Sequence, residues 1–373
     1  FALKSPIPSI TSSSDPERFA RIQCIIKQIG AMTCPIGASI YNRRMNTIRF
    51  LLPLLLLALS TQAKLKVFIL AGQSNMEGAG QIQINPRAQN KGAGTLEFMV
   101  KQTPQKHGHL QTKSGEWRVR TDVWVKYGER GGGLKPGFGA RSSTIGPELG
   151  FGTVVGDALK EQVLIIKTCW GGKTLMVDFR PPCAGPLPKA MADKMLAGIQ
   201  RREPDATMKV VEERTGAFYR LMMKEVTDTL KNLKAIYPAY DGKGYEISGF
   251  GWHQGWNDGL SHEMVAAYEE NLVRLIKDVR REWKTPHLPA VIAVSGFGGR
   301  NQKVDRRLGI IAAQHGVAKR EDFKGTVASV ETRDFFRPRE QSPGGQGYHW
   351  NNNAETYYLI GESMGKAMVE LLK

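Results

Sequence analysis

Five short, mostly apolar runs, at 66–71 (KVFILA), 163–168 (VLIIKT), 246–252 (EISGFGW), 290–295 (AVIAVS) and 326–331 (TVASVE), alternate with stretches of helical period. The helical stretches fall at 147–161, 217–236, 261–283, 305–318 and 354–372. Strands without a polar alternation need cover on both faces, and helices set between them supply it. The pattern predicts an α/β protein, a three-layer α/β/α sandwich around a parallel sheet, forming one large domain over 64–373. Two stretches interrupt the alternation and read as insertions: 80–145, rich in Gly, Gln and Lys, and the Pro-bearing 173–216. Within the first, WRVRTDVWVKY (117–127) reads as a small hairpin. Packing of Trp117 and Trp124 against the parent domain is favoured there over stacking on sugar rings.

The chemistry-bearing segments each follow a predicted strand. GQSN follows the first, CWGGKTL (169–175) the second, HQGWNDG (253–259) the third and ETRDFFR (331–337) the last. Open parallel sheets collect such loops along one edge. Ser74 is the candidate nucleophile, and because serine is weak at its own pKa it needs a base. His349, in GYHWNNN, is the candidate; His253 competes and is read as a substrate contact or a support for the base. An acyl-transfer site also needs donors aimed at the oxyanion. Ser74 N–H, the N–H of Gly172 or its neighbour Gly171, and the Gln254 amide are candidates. Gln73, Asn75, His253 and Trp256 complete the set as candidate substrate contacts.

Together Gly72-Gln73-Ser74-Asn75-Met76, Trp170-Gly171-Gly172, Trp252-His253-Gln254-Gly255 and a late histidine resemble the SGNH hydrolases. The similarity is strongest to the branch of sialate O-acetylesterase and acetylxylan esterase domains, and it spans roughly 65–370. It implies a flavodoxin-like sandwich and hydrolysis of acetyl esters on carbohydrate. Ser74 would be the nucleophile, His349 the general base, and Gly172 and Gln254 would serve the oxyanion hole. Two positions depart from that pattern: Gln346 stands where an Asp commonly precedes the histidine by three, and Trp256 where a Glu commonly follows the third motif. A neutral amide can orient an imidazole but cannot balance its positive charge. Asp258 and Asp334 are the alternative carboxylates, with Asp334 preferred because it follows the last strand; both also suit caps or turns.

Residues 1–44 lack a sustained period and read as a leader, with Met45 as the expected start of translation. Residues 45–63 read as a signal peptide: Arg49, the apolar run Phe50 to Ser60, then Thr61-Gln62-Ala63 as cleavage site. The run is shorter than the about 20 residues of a membrane span, so no stable insertion is expected after cleavage. A secreted or periplasmic enzyme follows. Of four cysteines, Cys24 and Cys34 lie in the leader; Cys169 reads as a buried apolar residue, and a bridge to Cys183 is disfavoured. No cofactor is expected, and two cysteines without a CxxC pair argue against zinc.

The net charge of +17 is dispersed and carries no nucleic-acid-binding signature. It reads first as solvated surface; among specific partners, an acetylated carbohydrate, including an anionic polysaccharide, is favoured over nucleic acid. The expected activity is a serine-dependent, metal-independent O-acetyl esterase. The rival is a carbohydrate-binding protein on an esterase scaffold whose chemistry is impaired, which the fold alone would not distinguish.

Overall fold

The computed structural model describes residues 64–373, so the expected leader and signal peptide lie outside the described residues. A seven-stranded sheet runs through its centre. Its strands are β1 (Leu65–Gly72), β2 (Val123–Tyr127), β3 (Arg130–Gly133), β4 (Val163–Cys169), β5 (Tyr245–His253), β6 (Ala290–Ala293) and β7 (Val327–Val330). They lie in the order β3-β2-β4-β1-β5-β6-β7. All neighbours are parallel except the β2–β3 hairpin at one edge.

Helices cover both faces: α1 (Ser74–Glu77), α2 (Glu148–Leu159), α3 (Ala217–Lys231), α4 (His262–Glu282), α5 (Asp305–Lys319) and α6 (Ala354–Leu371) are the ones used below. Two apolar clusters form, one on each side of the sheet. Val67, Ile69, Leu164, Phe250 and Ile292 face α3 and α4, whereas Phe68, Leu70, Ile165, Val291 and Ala293 face α2 and α6. Successive residues of β1 thus point to opposite layers, which is why its sequence shows no polar alternation. Ser261 and Asn353 cap α4 and α6, accepting from the N–H of Met264 and Thr356. Among the described residues no helix is long and apolar enough to cross a membrane.

The two stretches read as insertions are partly structural. Residues 80–145 supply β2, which pairs in parallel with β4 through Val123 to Tyr127 and so extends the main sheet. Its turn at Gly128 closes a hairpin as the sequence suggested, but the hairpin is an edge of the core and not an appendage. Trp124 stacks on Tyr237 with ring centroids 4.9 Å apart, and Trp117 packs against the α2–α6 layer. Residues 173–216 carry helices Lys189–Gln200 and Met208–Arg214 around a small cluster that includes Met176, Leu187, Met191 and Val211. Cys169 is buried and Cys183 exposed, and both are free thiols.

Parallel register fixes where the chemistry can gather. Gly72 is the direct partner of Cys169 on one side and of His253 on the other. Three strands therefore end side by side, and the segments that follow them share one rim. The chain turns to opposite sides of β1 at this point, the place where open sheets of this kind form their crevice.

Candidate active site

β1 ends at Gly72, whose φ of 151° is foreign to other residues and whose missing Cβ would lie 2.2 Å from the His253 carbonyl oxygen. The chain can therefore bend tightly against β5 and enter α1, one turn of helix that presents Ser74 at its start. His349 sits 275 residues later on the loop before α6, with Nε2 3.0 Å from the Ser74 hydroxyl. Its Nδ1 faces Gln346 Oε1 at 3.3 Å. An amide oxygen accepts only, so Nδ1 carries the proton and Nε2 is left to accept from Ser74. Burial holds the His349 pKa below the ordinary imidazole value, favouring the neutral ring.

The loop that carries His349 is locked to α1. Asn75 Nδ2 donates to the Tyr348 carbonyl at 2.9 Å, and the Tyr357 hydroxyl donates to Asn75 Oδ1 at 2.9 Å. Trp350, Asn351 and Asn352 follow the histidine with φ of 52°, 53° and 60°, a left-handed turn without glycine. Such conformations cost about 1–2 kcal/mol per residue. Trp350 is wholly buried, Asn351 donates to the Arg337 carbonyl and Asn352 to that of Ala79, contacts that hold the turn against its strain.

Several predicted roles are corrected by these contacts. Asp334 is the partner of Arg300, accepting from Nε and Nη2 at 2.8 Å each, and makes no hydrogen bond to His349. A bidentate guanidinium satisfies the carboxylate outside the site and holds its pKa below the usual range. Asp258 also leaves the imidazole alone: fully buried, it accepts from the N–H of Leu175 and Met176 at 2.9 Å each. Gln254 spends both amide protons, on the Lys173 carbonyl at 3.0 Å and on Asp258 at 2.5 Å, so it has none left for an oxyanion.

Gln73, Asn75 and His253 are buried rather than open to substrate. Gln73 donates to Asn257 and accepts from the Gly255 N–H, bridging the first and third motif segments. His253 bonds the Ala293 carbonyl through Nδ1, and burial lowers its pKa to about 4. Trp256 is packed between Tyr348 and Phe297, both with ring centroids at 4.9 Å, and the Arg307 guanidinium lies 4.3 Å over its ring. The exposed aromatic beside the imidazole is Tyr348, 4.5 Å from the His349 ring.

With Gln254 committed elsewhere, the backbone donors beside Ser74 are what remain of the expected set. Among the described residues, the N–H groups of Ser74, Gly171 and Gly172 find no acceptor in the protein. A Cβ on Gly171 would lie 3.7 Å from that of Ser74, so this turn borders the serine. The Asn257 amide accepts from Gln73 through Oδ1, which leaves Nδ2 without a protein partner. Asn257, whose amide lies two residues after Gly255 on the same loop, was not singled out in the sequence. A cleft of about 970 Å³ opens beside the Ser74–His349 pair, lined among others by Glu77, Gln83, Ile84, Arg141 and Gln346. Among the described residues no group of three metal-ligating side chains is assembled.

The family model described as carbohydrate esterase, sialic acid-specific acetylesterase matches residues 64–368. The chain belongs to this family. Among solved structures it is similar to a protein of Arabidopsis thaliana at 17% identity, covering 81% of this chain and 97% of that one, with a TM-score of 0.48. A carbohydrate acetylesterase from Xanthomonas citri matches at 12% identity over 81% of this chain and 55% of its own, with a TM-score of 0.47. NanS matches at 13% identity over 77% and 85%, with a TM-score of 0.38. No curated protein matches by sequence.

Proposed function

We propose that this carbohydrate esterase removes acetyl groups from a sugar by a serine acyl-enzyme route. The observation that carries the reading is the 3.0 Å contact between Ser74 Oγ and His349 Nε2; with the ring proton on Nδ1, facing Gln346 Oε1, Nε2 accepts from the serine. Ser74 Oγ attacks the acetyl carbonyl as its proton passes to Nε2. The oxyanion is met by the free N–H groups of Ser74 and the Gly171–Gly172 turn, with Asn257 Nδ2 as a further donor. The imidazolium then gives its proton to the departing sugar oxygen, leaving acetyl on Ser74. Water, deprotonated by the same ring, releases acetate and regenerates the serine.

Gln346 plays the orienting part that a carboxylate plays elsewhere. Its carbonyl oxygen fixes the proton on Nδ1, which keeps the base competent, while no charge offsets the imidazolium. The cleft offers a sugar both kinds of contact, since amides, hydroxyls, Glu77 and Arg141 line it together with Ala79, Ile84, Pro86 and Ala140. An extracellular or periplasmic place of action fits the signal-like segment at 45–63 and the carbohydrate substrate.

Ser74→Ala is the direct test, assayed on an aryl acetate and on an acetylated monosaccharide with folding checked by thermal melting. Turnover should fall by at least 10³-fold with the melting temperature held. Wild-type rates in that variant would defeat the mechanism.

A further inference from the structure

The Gly171–Gly172 turn raises a physical question that its own contacts do not answer. Both glycines are exposed, Gly172 has a φ of 73°, and a Cβ placed there would meet nothing within 4 Å. Gly171 is bordered by Glu77 and Ser74 on one side, and two glycines in succession have more backbone freedom than other residues. Preorganised donors act well only when they need not be reoriented during the reaction. The apex must therefore be held from its ends.

One end is tied by the Trp170 N–H, which donates to the Gly72 carbonyl at 3.2 Å. The other end is tied by the third motif segment. Asp258 Oδ2 accepts from the Leu175 N–H and Oδ1 from the Met176 N–H, each at 2.9 Å. Gln254 adds a bond to the Lys173 carbonyl at 3.0 Å and is itself tied to Asp258 at 2.5 Å. Tyr268 in turn donates to the Gln254 side-chain oxygen at 2.9 Å, and Gln314 and Ser295 donate to its backbone carbonyl. Residues 173, 175 and 176 are thus pinned to a buried polar network rooted in α4 and α5. Asp258 has 0% of its surface exposed and no cation paired with it, so its charge is supported by hydrogen bonds alone.

We propose that Asp258 is the positioning residue of the oxyanion hole, holding the Gly171–Gly172 turn against Ser74 through the backbone of Leu175 and Met176. This rests on the esterase reading above and specifies how its donor set is kept in place. The alternative use of a buried carboxylate, an orienting contact to the imidazole, is absent, because His349 Nδ1 faces Gln346. Burial pushes the Asp258 carboxyl up to about 6 against the pull of its N–H donors, so near neutral pH it is ionised and accepts at both oxygens.

A donor hole that is mispositioned damages the tetrahedral state more than the ground state. The test uses Asp258→Asn, which turns an amide donor toward one of the two N–H groups, and Asp258→Ser, which is smaller and leaves room for water. For each, kcat and KM are measured on an aryl acetate, together with inhibition by phenylboronic acid, which forms a tetrahedral adduct on an active serine. Melting is recorded in parallel. In a folded variant kcat should fall about 10–100-fold and boronate affinity by a similar factor, with KM within about twofold.

A folded variant with kcat and boronate affinity unchanged would overturn the proposal, as would a rise in KM with kcat intact. If neither variant folds, Asp258 serves core stability and the positioning role is refuted. Turnover that depends on Ser74 is established first. Its absence in the wild type would defeat the esterase reading and the clamp with it, whereas its presence beside an indifferent Asp258 would defeat the clamp alone.

Discussion

The proposed base, His349, faces a neutral partner, which bears on both rate and pH. Gln346 Oε1 holds the Nδ1 proton in place but gives no electrostatic return when the ring becomes charged. Desolvation already lowers the His349 pKa below 6.5, so the ring is neutral and able to accept down to lower pH than an exposed histidine. The acid limb of kcat/KM should accordingly show its inflection below 6.5, the rate rising with pH and then levelling. Gln346→Asp should move that inflection upward, because a carboxylate favours imidazolium, and should raise kcat by about tenfold or more. A pH–rate profile of the two proteins checks both statements; an inflection that stays in place would mean that residue 346 does not act on the ring. Ser74 and His349 were legible in the sequence as a candidate pair, one after a predicted strand and one before a predicted helix, and they lie 3.0 Å apart. It misled at Asp334, since nothing near that residue in the chain reveals Arg300 across the loop. Gln73 and Asn75 look like substrate contacts on paper, yet both amides are consumed in tying loops together.

Within the sheet, β4 carries a charge in its core. Lys167 donates to Glu148 Oε2 on α2, to the Glu77 carbonyl at the end of α1 and to the Phe138 carbonyl, each at 2.7 Å. Both side chains of the ion pair are 0% exposed. All three ammonium protons are satisfied, so the pair joins a strand, the nucleophile's helix and α2 at one point. Removing one partner from such a pair is far more costly than replacing both. Glu148→Gln should lower the unfolding free energy by about 3–5 kcal/mol, and Lys167→Met combined with Glu148→Leu should recover only part of the loss, because the Glu77 and Phe138 carbonyls and the Gly146 N–H lose their partners. Urea denaturation of the two variants decides it; equal stability in both would contradict the buried-charge argument. Elements of this kind were readable where the period is long and apolar, and α4, α5 and α6 begin within one residue of the predicted stretches. β2 was not read as part of the main sheet, because pairing with β4 is a long-range choice that the alternation V-W-V-K-Y does not encode. The left-handed turn at Trp350–Asn352 was equally hidden, since its strain is overcome by tertiary contacts and not by glycine.

At the scale of the molecule, parallel order converts sequence distance into proximity along one rim, and the same order buries titratable groups. His253 is an example with a consequence for the whole fold. Its folded pKa of about 4 lies below the ordinary value of 6.5, so the unfolded chain takes up a proton that the folded chain refuses. Its contribution to stability is fully present above 6.5 and is lost as pH falls toward 4, at up to about 1.4 kcal/mol per pH unit. Unfolding free energies measured at pH 7 and at pH 4.5 should differ more in the wild type than in His253→Asn. An unchanged difference would show that the imidazole is not the group responsible.

The seam between α1 and the final loop gives the order of assembly a functional meaning. Asn75 reaches across 273 residues to the Tyr348 carbonyl and 282 to the Tyr357 hydroxyl, so Ser74 and His349 are held in register only once the last helix has docked. Contacts this remote are the slowest to form in a refolding chain. On the proposed mechanism, catalytic competence should be acquired at the close of folding.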